Sequence, residues 1–166
     1  MWAVIDVPAP RPIGRVSATI VQRLDTGRPY SAAGYINPTA YVVNPGYVTP
    51  PTSVPYYFSG RGEYRTDTLG ATDLSVTVNR TFGTKTKVQL FFRGQCMNVF
   101  NQAAVINVSR SVLTRNDNTA YVAFNPFTDE PVRGVNYQFG PDFGTPTTPS
   151  DYQPPREFSF SVGFRY

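Results

Sequence analysis

The chain has 166 residues and a formal charge of +4, with a single cysteine and no histidine. That removes the commonest general base and metal ligand, the Ser/His and Cys/His couples, any internal disulfide and any thiolate cluster. Charged residues make up only 16%, against about 25% in an ordinary globular domain, while 12 Phe, 11 Tyr, 16 Pro and 13 Gly favour strands and long loops over helices.

The first predicted element is a short strand at residues 2–7, "WAVIDV", whose facing is ambiguous. "APRPIG" follows as a connection, since its prolines cannot serve a ladder. Residues 15–25 alternate: Val16, Ala18, Ile20 and Leu24 on one face, interrupted by Gln22, with Ser17, Thr19 and Arg23 opposite. Residues 26–63 form a long link rich in Pro, Gly, Tyr and Ser, including "VTPPTSVP". The third strand is predicted over 64–82, with Leu74, Val76, Val78 and Phe82 facing one way and Asp73, Ser75, Thr77 and Asn79 the other. "GTKT" at 83–86 suits a tight hairpin.

The fourth strand is predicted over 87–100. Val88, Leu90, Phe92, Gly94 and Cys96 share one face; Gln89, Phe91, Arg93, Gln95 and Met97 share the other. A second long link spans 101–155. The last strand, 156–166, has the cleanest alternation: Phe158, Phe160, Val162, Phe164 and Tyr166 against Ser159, Ser161, Gly163 and Arg165.

These elements predict an all-β fold, an antiparallel up-and-down meander of about five strands in a single segment spanning 1–166. Long and short links alternate, so both long ones fall at one end of the sheet and the 83–86 turn at the other. Transmembrane β-barrels are built this way, with long loops outside the cell. On that reading Leu74, Val76, Val78, Val88, Leu90 and Phe92 face lipid, and Asp73, Ser75, Thr77, Asn79, Gln89, Arg93 and Gln95 face a lumen. A soluble β-sandwich would show the same alternation.

The remaining motifs read as ordinary structure. "GRG" at 60–62 lacks the Lys and Ser/Thr of a phosphate loop. "NDN" at 116–118, near Asp129 and Glu130, lacks the further acids of a calcium loop. Asp67 with Asp73, and Asp25 with Arg23, suit a solvated rim or lumen better than a catalytic pair. Cys96 belongs to the apolar face. No cofactor and no metal site is expected, and scattered arginines give no nucleic-acid patch.

"FFRGQCMNVFNQ" at 91–102 resembles the penultimate-strand motif of TonB-dependent outer-membrane receptors. "GRGEYRTDTLGATDLSVTVNRTF" at 60–82 is similar to the strand before it, and "VQRLDTGRPYSA" at 21–32 to a strand-to-loop passage of the receptors that carry a carboxypeptidase-regulatory-like domain. "PREFSFSVGFRY" resembles their last strand. The resemblance implies the C-terminal part of a barrel in the bacterial outer membrane. The intact receptor would bind and import a solute with energy from a TonB-type partner.

Lipid, the barrel-assembly machinery, and the missing plug and barrel remainder would be its partners. Phe158, Phe160, Val162, Phe164 and Tyr166 would be the signal that machinery reads. "MWAVIDVPAP" has neither a basic region nor an apolar core of a signal peptide, so export is expected to depend on a preceding segment. The alternatives are a soluble β-sandwich binding module and a small self-associating membrane barrel; an enzyme is not expected.

Overall fold

Period-2 alternation in a segment rich in Val, Thr and Phe leaves the backbone no better partner than a neighbouring strand. In the computed structural model, which describes residues 1–10, 13–43, 46, 48, 51–83 and 88–166, five segments pair this way. They are β1 (Trp2–Val7), β2 (Arg15–Asp25), β7 (Leu69–Phe82), β8 (Val88–Met97) and β11 (Glu157–Arg165). Their order in the sheet is β1-β2-β7-β8-β11, every neighbour antiparallel, so the meander is an open sheet with β1 and β11 at its edges. Asp25 lies opposite Leu69 and Met97 opposite Glu157, which puts both long excursions of the chain at one end of the strands. The predicted turn at 83–86 lies, apart from Gly83, outside the described residues.

Two boundaries differ from the sequence reading by more than one residue. The strand expected over 64–82 begins at Leu69; Tyr64–Arg65 is a separate two-residue strand, β6, paired with β3 (Pro29–Tyr30). The strand expected to reach residue 100 ends at Met97, because Asn98 and Asn101 take positive φ of 49° and 50°, which turns the chain out of the ladder.

The long links are also more ordered than loops. The first contains β3, β4 (Ala33–Ile36), a 3-10 turn at Thr39–Tyr41, β5 (Val54–Tyr57) and β6. The second contains β9 (Val112–Thr114), β10 (Tyr137–Phe139) and a 3-10 turn at Pro149–Asp151. Together the inserts make a compact unit, Gly27–Asp67 with Val105–Asp151, distinct from the sheet unit of Met1–Thr26, Thr68–Ala104 and Tyr152–Tyr166.

The two units bury apolar surface very differently. In the insert unit Ala32, Ile36, Phe58, Val112 and Tyr137 form a core, with Tyr56, Tyr64, Phe124, Phe139 and Phe143 against it. The rings interlock: Phe139 stacks on Phe143 at 4.1 Å between centroids, and Phe58 meets Tyr137 at 4.6 Å. Such pairs add to area burial by about 0.5–1.5 kcal/mol each. Thr114 sits 2% exposed within this unit, its hydroxyl donating to the Tyr35 carbonyl at 2.5 Å and its backbone N–H donating to Asp117 at 2.8 Å. The sheet unit has no comparable core: among the described residues Ala71 is its one buried apolar side chain.

Candidate functional site

Residues opposed in a ladder share a face, so the register assigns every strand residue of the sheet. Row by row, one face carries Val16, Val78, Phe92 and Val162; then Ala18, Val76, Gly94 and Phe160; then Ile20, Leu74, Cys96 and Phe158. Ala3, Ile5 and Val7 extend it onto β1. Val88, Leu90 and Phe164 lie on the same face, and Tyr166 follows β11. The opposite face carries Asp73, Ser75, Thr77, Asn79, Gln89, Arg93 and Gln95, continued by Ser17, Thr19, Ser159 and Ser161.

The apolar face is uncovered. Phe160 is 70% exposed, Val162 69% and Val76 46%, although each belongs to a paired strand. Phe92 and Phe160 lie nearly parallel at 6.2 Å, and Phe164 approaches Tyr166 at 6.4 Å. Polar atoms are confined to the ends of this face. At one end Arg80 stands over the Phe82 ring at 4.7 Å. At the other, Gln22, the residue that interrupts the β2 pattern, accepts a short hydrogen bond from the Thr72 hydroxyl directly opposite it. The interruption is therefore a paired polar row at the edge of the band.

The polar face is organised by charge pairs. Arg15 bonds Asp6 and Arg23 bonds Asp73, each at 2.8 Å. Asp73 also accepts the Asn98 backbone N–H at 2.9 Å. Thus Arg23 pairs with Asp73 across the β2–β7 ladder and not with Asp25, and Asp67 is engaged elsewhere, accepting the Val105 N–H at 3.0 Å. Trp2, Val4 and Val21 are apolar residues of this face toward its β1 edge, and Phe91 is one near β11, where Arg165 approaches its ring at 6.0 Å.

A second structural centre lies in the 91–102 stretch that carries the resemblance, at asparagines the alternation itself did not mark. Asn98 is buried, and its side-chain amide donates to the Gln102 and Pro154 carbonyls while its Oδ1 accepts the Gln102 N–H. Asn101 Oδ1 accepts the Arg156 N–H. These two asparagines tie the end of β8 to the start of β11. The available signal was two Asn spaced three apart just past a strand, a pairing suited to left-handed turn positions.

Other singled-out motifs are turns. The Gly60 N–H donates to Glu63, and Gly62 has φ of 65°. The Thr114 N–H donates to Asp117 and the Ala120 N–H to Asn118. Asp129 accepts the Asn125 N–H, which holds its carboxyl below the usual range together with the Thr128 hydroxyl. Among the described residues no three His, Cys, Asp or Glu side chains gather where they could hold a metal ion. No described helix is long and apolar enough to cross a membrane, which says nothing of strands.

No protein-family model matches the chain, and neither a curated protein nor a solved structure matches it.

Proposed function

We propose that the sheet unit is part of the wall of an outer-membrane β-barrel of the TonB-dependent receptor kind, its apolar face toward lipid and its polar face toward the lumen. The observation that carries this reading is the uncovered band on one face of a sheet with almost no core of its own. Exposed patches beyond a few hundred Å² are rare on soluble monomers. Four of the five strand lengths suffice: β2, β7, β8 and β11 have 11, 14, 10 and 9 residues, where a tilted spanning strand needs about 9–11, and β1, with 6, is shorter. Arg80, Phe82, Phe164 and Tyr166 have the chemistry of an interfacial belt, amphipathic rings beside a cation that can reach water.

Open edges at β1 and β11 require further strands in a membrane, because unpaired backbone groups in hydrocarbon cost several kcal/mol each. The rest of the wall would complete the barrel. The polar face would meet a plug through Arg93 and Gln95, and the intact receptor would import a solute with energy from a TonB-type partner. The resemblance of residues 91–102 and 155–166 to receptor strands supports that assignment.

The test uses tryptophan as a depth probe. Trp2, the only native one, lies opposite Val21 on the polar face and is replaced by Phe. New tryptophans at Val76 and at Thr77 then report opposite faces. In vesicles of brominated phospholipid, fluorescence from Val76→Trp is expected to be quenched and that from Thr77→Trp to persist. A monodisperse, cooperatively melting monomer in detergent-free buffer would instead establish a soluble β-sheet protein.

A further inference from the structure

The insert unit holds a cleft of about 520 Å³ whose walls include Tyr30, Tyr57, Arg61 and Arg110. A neighbouring cleft of about 200 Å³ shares Tyr30 and Arg110 and adds Arg28. Three arginines, each permanently charged, therefore line the two clefts, which share Pro29, Tyr30 and Arg110. Among the described residues none of the three forms an ion pair, and no carboxylate lines either cleft.

Three carboxylates of the insert unit are already engaged. Glu63 accepts the Gly60 N–H, Asp67 the Val105 N–H, and Asp151 the Thr147 and Thr148 N–H groups and the Asn107 amide.

The wall is also pre-formed. Ser31 Oγ donates to the Gly60 carbonyl and accepts the Gly62 N–H, and Ser59 Oγ accepts the Ala32 N–H. Tyr30 is fixed by stacking on Tyr64 at 5.4 Å. Tyr57, by contrast, is 65% exposed, a flat amphipathic ring at the mouth. Lone phosphate would be served by a compact nest of backbone N–H groups. Here the cations are spread over two adjoining clefts beside an exposed ring. That arrangement suits a chain of sugar rings with a carboxylate on each: guanidinium forks take carboxylates two-pronged, and an aromatic ring takes a sugar's apolar face. The volume falls within the usual range of about 300–1,000 Å³ for ligand sites.

We propose that this cleft binds an acidic oligosaccharide, with carboxylates on Arg61, Arg110 and Arg28 and one sugar ring on Tyr57. The proposal does not rest on the membrane reading, since the cleft lies wholly within the insert unit.

The test is calorimetric titration of the full chain with tetragalacturonate, in whichever of detergent or plain buffer keeps it monodisperse. One-to-one binding that weakens with salt is expected. Arg110→Gln and Arg61→Gln should each weaken it about ten-fold and Tyr57→Ala by a similar factor, while Arg80→Gln, in the sheet unit, should leave it unchanged. Near-UV circular dichroism of the packed tyrosines verifies that each variant is folded; the three cleft variants test the site independently. Absence of binding by the native chain, equal binding of neutral maltotetraose, equally tight binding of inorganic phosphate, or indifference of folded cleft variants would each overturn the proposal. None of these outcomes bears on lipid quenching, so the two proposals fail separately.

Discussion

Gly163 and Phe91 face each other across the β8–β11 ladder, and the Phe91 ring fills the space that a side chain at 163 would occupy. A Cβ on Gly163 would stand 2.5 Å from two ring carbons. A glycine in a strand otherwise weakens it; here the ring of the partner strand covers the bare backbone. Gly163→Ala is expected to destabilise the sheet by about 1 kcal/mol, because the ring must swing out. In Phe91→Leu the same substitution should be nearly neutral. Urea unfolding of the four-protein cycle measures the coupling; additive effects would mean the ring does not occupy that space.

Charge on the apolar face should be tolerated in water and not in lipid. Val76→Arg is expected to lower stability by about 2–4 kcal/mol in vesicles, the cost of a cation near a bilayer midplane. Thr77→Arg, one residue away but on the opposite face, should change it by less than about 0.5 kcal/mol. Reversible urea titration in phospholipid distinguishes the two. Equal effects would remove the case for lipid on the Val76 side.

Thr114 closes a polar knot within the insert unit. Its hydroxyl serves the Tyr35 carbonyl and also receives the Asn116 N–H. Thr114→Val keeps the shape but leaves both groups unpaired, at a cost of about 1–3 kcal/mol. Thr114→Ser should restore most of the loss. Thermal melting followed by near-UV dichroism, which reports the packed tyrosines, is the measurement.

Acid should loosen the same unit through Asp151. The Thr147 N–H is the largest cause of its lowered pKa, followed by the Asn107 amide and the Thr148 N–H. Such a depressed carboxylate contributes stability that is complete above its unfolded pKa, about 3.9, and is lost as pH falls below that toward the folded value. The unfolding midpoint of the native chain should therefore drop between about pH 4 and pH 2. Asp151→Asn should start lower at pH 7 and show a shallower acid slope.

The four long strands, β2, β7, β8 and β11, were legible because their alternation runs for many residues and parity survives any small error in a boundary, whereas the six residues of β1 left its facing open. Phe91 was legible only as a break in the pattern. What justifies it, Gly163, is 72 positions away in the chain, and pairing alone brings them together. The insert strands were illegible for a different reason. They have two to four residues each, too few for a period, and their partners lie far off, as in Ala33 with Tyr57 or Val112 with Phe139. The arginine cleft drew nothing from sequence because Arg28, Arg61 and Arg110 come from three separate turns of one tertiary structure. Gln22 looked like a flaw in an apolar stripe, and only the ladder shows that it lies at one end of the band, with Arg80 toward the other.

The chain crosses between the two units at four places, after residues 26, 67, 104 and 151. Each insert is therefore a closed loop whose ends are held by a strand pair of the sheet, β2 with β7 for one and β8 with β11 for the other. Pairing those strands removes the entropy of bringing the ends of some forty residues together, before any insert contact forms. The inserts are then expected to condense late, on a sheet already in register. Their own core would be assembled from two loops that meet only after both hairpins have closed. Replacing both inserts by short turns should accordingly leave the sheet's pairing rate intact, or raise it.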